Sequence, residues 1–237
     1  MRFVQVIDCK TERFEDMDRL MDQWVEQTKG TRTATHSLIG KDRSDGSHYV
    51  EIVEFPSYED AMANSGLPET ERIFQEMVAL CDGMPTFTDL DVVRDEQLNQ
   101  AQSRRFFHEI AVGGNLDAID EVFAPDYIDH DIAKTERTVV GSDRLRNDVA
   151  GWRAAFDFSF DLDRQICEGD DVVTLWTWTG THKGEFMGIA PTGRQCVMSG
   201  TTIFRFKNGK IQEGWWHEDL MGLMRGLGAL DQGTAPA

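Results

Sequence analysis

Apolar and polar positions follow two different rhythms along this chain, and the change between them divides it. Residues 2–8, Arg-Phe-Val-Gln-Val-Ile-Asp, alternate like a short strand. A helical stretch opens after Thr11 or Glu12, with Phe14, Met17, Leu20, Met21, Trp24 and Val25 on one face. Gly30 stands where a C-terminal cap belongs. Residues 31–40 and 47–55 read as two strands around a polar hairpin loop at 41–46. Helical spacing returns over 57–64 and 69–81, broken near Gly66 and Pro68, and a last strand covers 85–93.

The polar stretch 94–100 closes this first half and begins a new helix, whose apolar positions are Leu98, Phe106, Phe107, Ile110 and Ala111. Gly113-Gly114 breaks it, and Asn115 suits the N-cap of a second helix from Leu116 to Phe123. Residues 124–131 read as a helix stop and a polar-aromatic loop, and a third helix, capped by Ser142, covers 142–155. Long strands follow over 157–167, 171–182, 194–206 and 210–218, separated by Asp170-Asp171, Pro191-Thr192-Gly193 and Asn208-Gly209. The tail 231–237 reads as frayed. The expected class is α+β in two domains. Residues 1–95 form a ferredoxin-like βαββαβ unit, and residues 96–237 form a cone of three helices on a curved antiparallel sheet.

Charge narrows the partners. The net charge is −18, with 10 basic against 21 acidic residues in 1–100 and 14 against 21 in the rest. No basic stripe interrupts it, which argues against nucleic acid and anionic membranes, and the acidity itself reads as solubility. The partner expected, from the pocket residues below, is a small-molecule substrate. Cys9, Cys81, Cys167 and Cys196 have no metal-ligand spacing and no convincing disulfide framework. The first residues turn acidic too early for a signal peptide, and no apolar run approaches the roughly 20 residues of a membrane span. The expectation is a cytoplasmic protein.

Strand parity then sorts the chemistry. Trp176, Trp178, Gly180 and His182 share one face of their strand, and Trp215, His217 and Asp219 share one face of the last. Placed inside the cone, they make an aromatic pocket with one carboxylate and two imidazoles. A carboxylate among indole rings loses hydration and suits a general base, while a nearby His can donate to an oxygen that gains charge. Asp219 with His182 or His217 is the leading catalytic set, and Trp176, Trp178 and Trp215 are the walls. Asp219 equally suits the N-cap of the helix that starts at Leu220. No G-x-S-x-G, H-E-x-x-H, Walker or dinucleotide motif occurs, so neither metal nor cofactor is expected.

Several turns carry a resemblance. Val122-Phe123-Ala124-Pro125-Asp126-Tyr127 with Asp129-His130, then Gly180-Thr181-His182, Gly184-x-Phe186-x-Gly188, Pro191-Thr192-Gly193, Asn208-Gly209, Glu213, Trp215, Asp219 and Gly222-Leu223 keep a family order. The second half so resembles the SnoaL-like polyketide cyclases, also described as ester cyclases. That resemblance implies the cone of nuclear transport factor two and ketosteroid isomerase. It also implies cofactor-free aldol closure of a polyketide-derived ester, with Asp219 as general acid/base. Tyr127, His130, Phe186 and Met187 become further substrate-binding candidates. The first half resembles the dimeric α+β barrel group, which includes cofactor-free monooxygenases, and this implies a homodimer. Three functions stay open: a cyclase or related lyase/isomerase, a non-catalytic binding or scaffolding protein, and a monooxygenase in the first half.

Overall fold

The computed structural model describes residues 1–95, 97–130 and 139–230. Asp131, at the end of the expected loop, and the tail 231–237 lie outside the described residues. The chain divides into two compact units, Met1–Asp95 and Glu96–Ala237.

In the first unit the elements are β1 (Phe3–Lys10), α1 (Phe14–Gln27), β2 (His36–Lys41), β3 (His48–Phe55), α2 (Tyr58–Ser65), α3 (Pro68–Val78) and β4 (Thr86–Asp91). The sheet order is β2-β3-β1-β4, antiparallel throughout. Helix α1 starts later than Thr11, because the Thr11 hydroxyl is occupied: it donates to the Leu80 carbonyl and accepts from the Arg13 N–H. Ser57 caps α2 by accepting from the Asp60 N–H at 3.1 Å. Phe3, Val53, Phe55 and Ala61 form one buried cluster, and Met17, Leu20, Tyr49, Ile73 and Met77 are buried as well.

The second unit begins with α4 (Leu98–Arg105), which runs on as π-helix through Phe106–Val112. A 3₁₀ turn at Leu116–Ala118 and the short α5 (Ile119–Val122) stand where one regular helix was expected. Asn115 makes no cap; its side-chain amide donates to Glu109 instead. Then come β5 (Phe123–Asp129), β6 (Val139–Val140), α6 (Ser142–Ala155), β7 (Phe156–Glu168), β8 (Asp171–His182), β9 (Gln195–Lys207), β10 (Lys210–Glu218) and α7 (Leu220–Leu227). Gly141, at φ +109°, precedes α6, and Ser142 provides no cap bond.

Two features of this sheet correct the sequence reading. Residues 123–129 are a strand, not a loop, and pair in parallel with β10, so the six-stranded sheet β6-β5-β10-β9-β8-β7 is mixed. Pro125 and the uneven polarity of this segment hide its strand character, which a partner far along the chain imposes. The second feature is a bulge in β10. Ile211 faces Phe206 while Glu213 faces Arg205, which leaves Gln212 as an extra residue. Inward positions are therefore odd before it (Ile211) and even after it (Gly214, Trp216).

The core fills the concave side. Trp176, Trp178, Phe106, Phe107, Phe123, Phe156 and Phe204 are all buried there. Complete burial of each such side chain stabilises by roughly 1.5–3 kcal/mol. Gly180 and Gly200 leave room for it: a Cβ at either would run into the indole of Trp178 or Trp176 respectively. Helix α7 closes the wall by burying Leu223 and Leu227.

Candidate functional site

The second unit holds a cavity of about 450 Å3 on the concave side of its sheet. Strands β7 and β8 supply Phe158, Phe160 and Trp178; β9 and β10 supply Met198, Trp216 and Glu218. Helix α6 adds Leu145, Asp148, Val149 and Trp152, whose spacings of three and four set them on one face. Asp129 enters from the end of β5, and Glu185, Phe186 and Met187 come from the loop after β8.

Ring geometry makes the wall continuous. Trp152 meets Trp178 edge-on at 5.8 Å and Phe186 at 4.9 Å, and Phe158 lies 5.7 Å from Trp178. The Phe186 turn is closed by reciprocal backbone bonds with Ile189, and Met187 (φ +50°) and Gly188 (φ +79°) take left-handed conformations within it. Four carboxylates (Asp129, Asp148, Glu185 and Glu218) and no Lys, Arg or His line the cavity among the described residues. Asp129 is 4% exposed. Such a site can accept and return protons within apolar walls. Among the described residues, no group of three or more His, Cys, Asp or Glu side chains is arranged for a metal ion.

The structure scatters the residues singled out from sequence. Trp178, Phe186 and Met187 line the cavity, with Met187 at its exposed rim. Trp176 is buried beside it as core, its indole N–H donating to the Thr202 hydroxyl at 2.9 Å. Tyr127 is likewise buried behind the wall, where its hydroxyl accepts from the Trp216 indole at 3.4 Å.

His182 is fully buried but outside the cavity lining. Its Nδ1 accepts the Thr192 N–H at 3.1 Å. The ring so pins the far end of the loop that carries Glu185 to Met187.

Trp215, His217 and Asp219 do not enter the cavity. The extra residue at Gln212 reverses the parity, so Trp216 and Glu218 point inward instead. Trp215 stacks on His130 at 4.5 Å with Arg205 over its ring, and His130 Nε2 lies 2.9 Å from Glu213. Neither Trp215 nor His130 is part of the cavity lining. His217 is exposed. Asp219, also exposed, is the N-cap of α7 and accepts from the Gly222 N–H at 2.8 Å.

Sequence parity therefore missed Glu218, Trp216 and Asp129. The readable signals were the even-numbered partner set on β10 and the Asp148–Trp152 spacing on α6.

Residues 101–227 match the profile of the SnoaL-like polyketide cyclase family. The chain belongs to that family. Among solved structures, this SnoaL-like chain is similar to TsrD from Streptomyces laurentii, at 28% identity over 58% of this chain and 99% of that one (TM-score 0.52). A candidate polyketide cyclase from Acidithiobacillus ferrooxidans is 29% identical, over 60% of this chain and 100% of the other (TM-score 0.52). AclR, a candidate hydroxylase from Streptomyces galilaeus, is 27% identical over 56% and 97% (TM-score 0.50). No curated protein matches the chain. The SnoaL-like match contains every lining residue of the cavity and none of the first unit.

Proposed function

We propose that the second unit is a cofactor-independent cyclase, or a related lyase/isomerase, acting on an aromatic or polyketide-like carbonyl compound. The observation that carries this reading is the set of carboxylates turned into an aromatic-walled cavity of about 450 Å3. Family membership and the likeness to a candidate polyketide cyclase support it.

Glu218 and Asp129 are the proposed acid–base pair. One carboxylate removes a proton alpha to a carbonyl, and the resulting enolate carbon attacks a second carbonyl of the same molecule. One C–C bond forms, and the new alkoxide takes a proton from the other carboxyl group. Trp178, Phe158 and Trp216 would hold the flat substrate, and the wall excludes water from the enolate.

The test is a thermal-shift screen of aromatic ketones and esters, followed by mass spectrometry for product. Glu218→Gln and Asp129→Asn should each cut turnover about 10²- to 10⁴-fold while ligand stabilisation persists. Stabilisation of the wild type with no product would instead favour a non-catalytic binding protein.

For the first unit, a ferredoxin-like arrangement is supported by its sheet order, and self-association by its open sheet face. Opposite in parity to the buried Phe3, Val53 and Phe55 stand Val4, Val6, Leu38, Ile52 and Leu90, with Leu38 56% exposed. A homodimer through this face is the proposed assembly. Light scattering of Leu38→Glu, with a monomer expected, tests it; an unchanged dimer would sink it.

A further inference from the structure

The first unit, outside the family match, has an apolar cavity of its own of about 340 Å3 between its sheet and its helices. Ile7, Val53 and Phe87 form its sheet side; Met21 and Trp24 come from α1 and Met77 from α3. Gln5, Glu51, Asn64, Ser65, Thr70 and Glu71 add polar groups to the lining, and Glu51 is placed most unusually among them. Glu51 has the parity of the buried Tyr49, Val53 and Phe55, and its Cα partners on either side are Ile7 and Ile39. A half-buried carboxyl group thus stands between two half-buried isoleucines on the helix-facing side of the sheet, where an apolar side chain would cost less. The Ser37 hydroxyl donates to its Oε1 at 2.7 Å. Asn64, also in the lining, is buried at 5% exposure.

We propose that this cavity is a second small-molecule site, taking an uncharged, flat, apolar compound whose carbonyl oxygen is anchored by Glu51. Burial pushes the Glu51 carboxyl above its usual range, with the Ser37 hydrogen bond opposing. The neutral acid so favoured has an O–H to donate, which a carboxylate lacks. Anions are disfavoured, since Glu51 and Glu71 line the site and no Lys, Arg or His does so among the described residues. The volume lies at the small end of ligand pockets and suits two or three fused rings. The site is independent of the chemistry proposed for the second unit.

Calorimetric titration of the full chain with the aromatic ketone 1-tetralone tests this. Glu51→Leu should weaken one binding event about tenfold or more, the worth of one buried hydrogen bond. Met77→Trp, which fills the cavity, should remove it, and Glu218→Gln should leave it unchanged. Glu51→Gln keeps an N–H donor and should hold affinity within about threefold.

Wild-type affinity should fall as pH rises and the acid is lost, while Glu51→Gln stays flat. Other titratable groups face Glu51: the exposed Glu71 from α3, Asp89 from β4 through Gln5, and the Cys9 thiol of β1, which burial pushes up to about 12. The Gln variant isolates Glu51 from all of them. No saturable binding by the wild type, or binding that Glu51→Leu and Met77→Trp leave unchanged, would overturn the proposal.

Discussion

Replacing Asp219 separates its two candidate roles, because the structure assigns it to the end of α7 rather than to the cavity. Its carboxylate accepts the Gly222 N–H at 2.8 Å, satisfying one of the otherwise unpaired donors of the first turn. Helix α7 has eight residues, too few to be stable alone, and is held by Leu223 and Leu227. Loss of a cap of this kind costs about 1 kcal/mol, and the negative charge at the helix start adds about 0.3–1 kcal/mol. For a unit of this size, Asp219→Ala should lower the melting temperature by about 3–6 °C. Asp219→Asn keeps an acceptor and loses only the charge, so the drop should be about 1–3 °C. Thermal unfolding followed by near-ultraviolet circular dichroism gives both numbers. Turnover of any substrate found in the screen, measured well below either transition, should change less than about threefold. Unaltered unfolding together with abolished turnover in Asp219→Asn would refute the capping assignment and make Asp219 the general base.

Further outcomes follow from single contacts. Thr202→Val strands the Trp176 indole N–H in a fully buried site and should destabilise the second unit by about 1–3 kcal/mol in chemical denaturation. His48 bridges Asp8 and Asp42 at 3.0 Å each, and these hydrogen bonds raise its pKa above 6.5. A raised folded value means the contribution is complete below about 6.5 and is lost as pH rises through the folded value. Wild type should therefore lose stability in the first unit on going from acid to alkaline pH across that window, and His48→Gln should lose this dependence. Parallel slopes for the two proteins would exclude His48 as its source.

Local chemistry determined much of this protein. The helix face Phe14–Trp24, the alternation of β8 that turns Trp176, Trp178 and His182 inward, and the turn at Asn208-Gly209 are written in neighbouring residues. The signature turns of the second half likewise carry its family. What local pattern could not decide depends on partners far along the chain. Residues 123–129 become a strand only because β10 offers a parallel edge nearly ninety positions later. One extra residue at Gln212 turns Glu218 into the cavity and leaves Asp219 to cap a helix, although both are acidic and adjacent. Strand parity has a period of two, so a single insertion exchanges the faces of everything after it. Which carboxylate meets a substrate is therefore decided by a hydrogen-bond register that only the assembled sheet defines.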